Sequence, residues 1–123
     1  MRRLMALLCR MPRNTRCVEP GLPYHVTQRG TNRQRVFYSP TDYKMYLSLV
    51  REHMKDAECR VLAYCLMTNH VHVVVVPGRL DSLAVLFRRV HGRYSQYLNT
   101  RLHRTGHLWQ ARFYSCPLSE THR

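Results

Sequence analysis

Thr68-Asn69-His70-Val71-His72-Val73-Val74-Val75-Val76 sets two histidines two residues apart at the head of an apolar, β-branched run. In an extended strand, side chains at i and i+2 leave the same face roughly 6.5–7 Å apart along the backbone, so two imidazoles can converge on one divalent ion. The valines favour the strand. Val71, Val73 and Val75 then enter a core, while His70 and His72 face outward with Val74. Two imidazoles do not complete a metal shell, because a catalytic ion normally has a third protein ligand or a substrate oxygen. A histidine pair on a solvated or hydrogen-bonded sheet face is the competing reading, and spacing alone leaves both open.

Charge adds a partner. Lys+Arg number 20 against 7 Asp+Glu in 123 residues, a formal net charge of +13, with a pI near 10.3. A domain this basic is normally matched to a polyanion, and nucleic acid leads over an anionic membrane surface. Most of the charge is arginine, whose planar fork gives phosphate two hydrogen bonds and stacks on unpaired bases. The five cysteines (Cys9, Cys17, Cys59, Cys65 and Cys116) are odd in number and have no C-x-x-C spacing, which fits a reducing cytoplasm. Arg10 and Arg13 cut the apolar stretch after Met1 well short of a signal peptide or membrane span. Met11 reads as the natural start, with residues 1–10 a non-native upstream extension and 11–123 a single domain.

The elements that must position the histidines follow from patterning. Residues 24–28 have strand composition and close at Arg29-Gly30, and the loop 31–36 carries Arg33 and Arg35 where they can meet phosphate. Ser39-Pro40-Thr41-Asp42 is a helix start, with a Ser cap, Pro in the first turn and an acidic residue three after the cap. Tyr43, Tyr46, Leu47, Val50, Met54 and Ala57 follow at helical spacing, core rather than catalytic. Residues 59–67 alternate into a strand that Thr68-Asn69 turns back into the histidine strand, which Pro77-Gly78 ends. A long helix over about 81–102 buries Leu83, Leu86, Phe87, Val90, Tyr94, Tyr97, Leu98 and Leu102, and puts Arg88, Arg89, Arg93, Gln96 and Arg101 on its polar side. Residues 112–116 form a closing strand. The order βαββαβ predicts an α+β, ferredoxin-like fold: an antiparallel four-stranded sheet with both helices on one face and the first and third strands central.

Four segments together resemble a known family: Tyr24-His25-Val26-Thr27-Gln28-Arg29-Gly30, then Val36-Phe37, then Met67-Thr68-Asn69-His70-Val71-His72, and Gly106-His107-Leu108-Trp109-Gln110-Ala111-Arg112-Phe113-Tyr114. They resemble the REP-associated tyrosine transposases, from about Met11 to Leu118. The resemblance implies an HUH single-strand DNA transposase of insertion sequences, working in the bacterial cytoplasm at the nucleoid. His70 and His72 are then metal ligands, and the ion is magnesium or manganese. The implied partner is single-stranded or hairpin DNA; on charge and position the candidate contacts are Arg29, Arg33, Arg35, Arg88, Arg89, Arg93 and Arg112, with plain solvation the competing reading for those on the helix. No membrane is involved, and a homodimer is left open. A tyrosine attacks a phosphate to give a 5′-phosphotyrosine link and a free 3′-hydroxyl, which keeps the bond energy for rejoining.

In the family the nucleophile lies on a helix after the closing strand, as Tyr followed four residues later by an Asn or Gln that completes the metal shell. Here that region reads Leu118-Ser119-Glu120-Thr121-His122-Arg123. The expectation is therefore no catalytic residue within the chain, a nucleophile beyond Arg123, and a C-terminally truncated domain inactive alone. Its missing helix should leave apolar sheet surface exposed. Tyr94 and Tyr97, with Asn99 nearby, sit on the apolar stripe of the earlier helix and do not substitute. Two alternatives stand beside this reading: an active enzyme completed by a separate fragment or subunit, and a ferredoxin-like nucleic-acid binding module without a catalytic metal, its aromatic residues stacking on bases.

Overall fold

The computed structural model describes residues 18–118. The expected start at Met11, the extension 1–10 and any segment beyond Arg123 lie outside them. The elements run β1 (Tyr24–Arg29), α1 (Pro40–Met54), β2 (Cys59–Leu66), β3 (His70–Pro77), α2 (Ser82–Leu102) and β4 (Tyr114–Pro117). The sheet order is β2-β3-β1-β4, every neighbouring pair is antiparallel, and both helices cover one face. This is the expected α+β architecture.

Helix α1 starts where the sequence places it. Ser39 is extended, Pro40 opens the helix, and the Asp42 carboxylate accepts the backbone N–H of Ser39 at 3.1 Å and of Tyr38 at 2.8 Å, groups that would otherwise lack partners. Tyr46, Leu49 and Val50 turn inward; Leu49 extends the expected stripe, while Tyr43, Leu47 and Met54 pack half-buried against its edge. On α2 the buried row is Leu83, Leu86, Phe87, Val90, Tyr94 and Leu98, joined by Val85 and His91. The helix ends on His103, left-handed at φ 57°.

Against these rows the sheet presents Val26, Val71, Val73 and Val75, all buried. The opposite face carries His70, His72 and Val74, half-buried. A strand has period 2, so burying one set of valines forces both histidines onto the other face.

Two details depart from the sequence pattern. The closing strand begins at Tyr114 rather than at 112, because Ala111 takes a left-handed conformation (φ 39°) that turns the chain just before it. In β2 an irregularity between Val61 and Ala63 shifts the register and leaves Leu62 and Tyr64 exposed. The exposed large apolar side chains are Leu62 and Tyr64 on the edge strand β2, Met67 in the turn beyond it, Leu80 before α2 and Tyr38 before α1.

Candidate functional site

The site is built on the two central strands. Their register places His25 opposite Val74, Thr27 opposite His72 and Arg29 opposite His70, so side chains from both strands share the face the helices leave open. His25 Nε2 lies 2.9 Å from His72 Nδ1, with the ring centres 5.1 Å apart and the planes within 12°, edge to edge. The Thr27 hydroxyl is 3.4 Å from both of those nitrogens. One residue pair along, His70 Nδ1 meets Asn69 Oδ1 at 2.8 Å. The rings of His70 and His72 stand nearly perpendicular, 4.9 Å apart.

All three imidazoles are held below the ordinary histidine pKa. For His25 the cause is burial. For His70 it is burial, then the nearby Arg29 guanidinium. For His72 it is burial, then His25, His70 and Arg29. Each effect favours the neutral ring, the form with a lone pair to offer a metal. With Nδ1 of His70 and His72 engaged, Nε2 remains as the donor atom on each. The pair thus fits a divalent ion as two of its ligands. Among the described residues no group of three or more His, Cys, Asp and Glu side chains is placed to hold a metal, so a complete shell needs donors from elsewhere.

Beside the histidines, Thr27, Arg29, Gln110, Arg112 and Tyr114 line a groove of about 330 Å³. The loop that forms its far wall is pinned to β1: Gln110 N–H donates to Arg29 O at 2.8 Å, Gln28 Nε2 donates to Gln110 O at 2.6 Å, and Gly30 bridges to Trp109. Gly30 is required by close approach, since a Cβ there would run into the Gln34 carbonyl oxygen and the Val36 side chain. Two expected arginines, Arg29 and Arg112, thus meet in one groove next to the histidines.

The other expected DNA contacts fall elsewhere. Arg33 and Arg35 are exposed on the loop after β1; the Arg33 carbonyl accepts Asn69 Nδ2 at 3.3 Å, and the Arg35 guanidinium lies 5.0 Å from the Tyr38 ring centre. Arg88, Arg89 and Arg93 are exposed on α2, in the layer behind the sheet, and Arg93 lies 3.8 Å from Glu52. None of the three reaches the histidine face, but Arg88 lines a second cavity, of about 730 Å³, together with Arg112 and Tyr114 of the groove. Trp109 is mainly a packing residue, its indole N–H donating to His91 O at 3.1 Å inside the core.

Sequence reasoning missed two residues of this face. His25 alternates with the core residues Tyr24 and Val26, which marked it as outward-facing, but only the β1–β3 register brings it to His72. Tyr114 pairs with Thr27 across β1 and β4 and so joins the same face. Tyr94 and Tyr97, set aside as nucleophiles, are committed to structure: Tyr94 OH donates to the Val36 carbonyl and Tyr97 OH to Asp42 at 2.8 Å.

A ferredoxin-like sheet with a histidine pair on its open face defines a class of compact α+β domains with an exposed site on the central strands. Residues 19–123 match the family model described as "Transposase IS200 like", and the chain belongs to that family. Among solved structures it is similar to a REP-associated tyrosine transposase bound to a REP hairpin, at 18% identity and a TM-score of 0.72, covering 90% of this chain and 64% of that one. The chain therefore spans slightly under two thirds of that relative. It is also similar to a candidate transposase from Deinococcus radiodurans, at 16% identity and a TM-score of 0.64, covering 89% of this chain and 88% of that one. Among curated proteins, none matches. Among the described residues, no helix is long and apolar enough to cross a membrane.

Proposed function

We propose that this chain is an HUH-type transposase domain that holds single-stranded or hairpin DNA against a divalent ion, magnesium or manganese, bound at His70 and His72. The observation that carries the reading is the pair itself: two neutral imidazoles on the open face, each tied through Nδ1 and left with Nε2. When bound, the ion supplies Lewis acidity to a phosphate oxygen of the DNA. Arg29 and Arg112 grip neighbouring phosphates in the groove, and the Tyr114 ring offers a surface for an unpaired base. The similar transposase bound to a REP hairpin supports DNA as the partner.

Cleavage and rejoining in this reading exchange one phosphodiester bond for a phosphotyrosine bond and back, which needs no ATP. The attacking tyrosine is taken from outside the described residues, as the family resemblance implies; Tyr94 and Tyr97 are bonded in the layer behind the sheet, and Tyr114 in the groove is the alternative to test. The test is binding and nicking of a hairpin with a single-stranded foot, with manganese or with EDTA, in the wild type, in His70→Ala/His72→Ala and in Tyr114→Phe. Metal-enhanced binding that disappears in the double variant supports the reading. Binding indifferent to metal and to both histidines would establish a metal-free DNA-binding module instead. Nicking by the wild type that is lost in Tyr114→Phe would move the nucleophile onto β4.

A further inference from the structure

We propose that His25 is a positioning residue whose Nε2 accepts a hydrogen bond from His72 Nδ1–H and thereby holds the His72 ring in the tautomer that can bind a metal. The inference rests on the metal reading above. A neutral imidazole has one N–H and one lone pair, and only the lone-pair nitrogen can ligate. The hydrogen-bond partner of the other nitrogen therefore decides whether the ring is ready for an ion.

For His70 that choice is made by Asn69. The Asn69 amide nitrogen donates to the Arg33 carbonyl at 3.3 Å, which fixes the amide so that its oxygen faces His70 Nδ1 at 2.8 Å. A carbonyl oxygen only accepts, so Nδ1 of His70 carries the hydrogen and Nε2 carries the lone pair.

For His72 the partner is another imidazole, 2.9 Å away, and an imidazole nitrogen can serve either way. If His25 donates, the His72 hydrogen moves to Nε2 and the ring is blocked. If His25 accepts, Nε2 of His72 is open, as in His70. Binding of an ion at Nε2 selects the second arrangement. The near-coplanar, edge-to-edge geometry, 12° between ring planes, and the Thr27 hydroxyl 3.4 Å from both nitrogens keep the two rings in register for it. His25 is not itself a third ligand in this arrangement: its Nε2 is spent on His72.

Three proteins test this: the wild type, His25→Leu, which has no acceptor, and His25→Gln, whose Oε1 can occupy the position of the imidazole Nε2. Manganese affinity is measured by titration calorimetry on protein without DNA, with His70→Ala/His72→Ala as the control. The loss expected in His25→Leu is about 10- to 100-fold, the usual effect of removing a residue that orients a metal-bound histidine, with His25→Gln within about threefold of wild type. Equal affinity in all three overturns the role of His25 and leaves the metal reading standing. Equal loss in Leu and Gln variants overturns the acceptor role in favour of packing. No binding by the wild type, or full binding by the double-alanine control, overturns the metal reading and this inference with it. Should His25→Leu fail to fold, nitrogen-15 NMR of the histidine rings in the zinc-loaded wild type decides: a protonated Nδ1 on His72 is expected, and zinc on Nδ1 overturns it.

Discussion

Arg101, in the last turn of α2, reaches Asp42, in the first turn of α1, with two hydrogen bonds, Nη2 to Oδ2 at 2.6 Å and Nε to Oδ1 at 3.0 Å. The carboxylate is fully buried and also takes the Tyr97 hydroxyl and the N–H groups of Tyr38 and Ser39. One side chain thus starts one helix and fastens it to the end of the other.

Asp42→Asn should destabilise the fold by about 2–3 kcal/mol, because it removes the charge that offsets Arg101 and breaks part of a satisfied buried network; the partial exposure of Arg101 keeps the cost below that of a fully buried pair. Burial alone would raise the Asp42 pKa, but the bonds from Arg101, Tyr38 and Tyr97 outweigh it and hold the group below the ordinary carboxylate value. Its contribution is therefore complete above about pH 4 and is lost as the pH falls through the lower folded-state value. Urea melts of both proteins between pH 2 and 7 check this, and the gap between them should close at the acid end.

Burial pushes the His91 imidazole down to about 3. Its Nε2 shares a hydrogen bond of 2.8 Å with the Tyr46 hydroxyl in the core. Below pH 6.5 the unfolded chain takes up a proton that the folded chain refuses, so His91 lowers stability by about 1.4 kcal/mol per pH unit down to about pH 3. His91→Leu should cost about 1–3 kcal/mol at neutral pH by stranding the Tyr46 hydroxyl. It should also flatten the pH dependence by one proton between pH 3 and 6.5. An unchanged slope would show that His91 protonates in the folded state.

DNA binding should weaken steeply with salt, since phosphate contacts release counterions. Arg29→Ala and Arg112→Ala, which line the groove beside the histidines, should each lower affinity and reduce the log–log salt slope for single strands by about 0.7. Substituting Arg89 and Arg93 on the far layer should leave the slope nearly unchanged. Anisotropy titrations at several salt concentrations distinguish the two groups, and the reverse pattern would place the DNA on the helices.

Much of this was legible in the sequence because local patterns carry it. The valines alternating with His70 and His72 fixed the orientation of β3, and Ser39, Pro40 and Asp42 fixed the start of α1. What was not legible depends on elements distant in the chain. His25 meets His72 across 47 residues, and Asp42 meets Arg101 across 59; neither pairing leaves a local periodic signature. The arginines of α2 were legible as an exposed charged face, and the expected layering, with both helices on one side of the sheet, already set that face apart from the outward-facing histidines.

The most direct test of the central claim is manganese-induced broadening of the histidine ring resonances in the DNA-free protein. The account predicts that substoichiometric manganese broadens His70 and His72 most strongly, then the neighbouring His25, while the exposed His103 and His107 stay sharp. Uniform weak broadening of all histidines, or a strongest effect at His103 and His107, would contradict a metal site on the central strands.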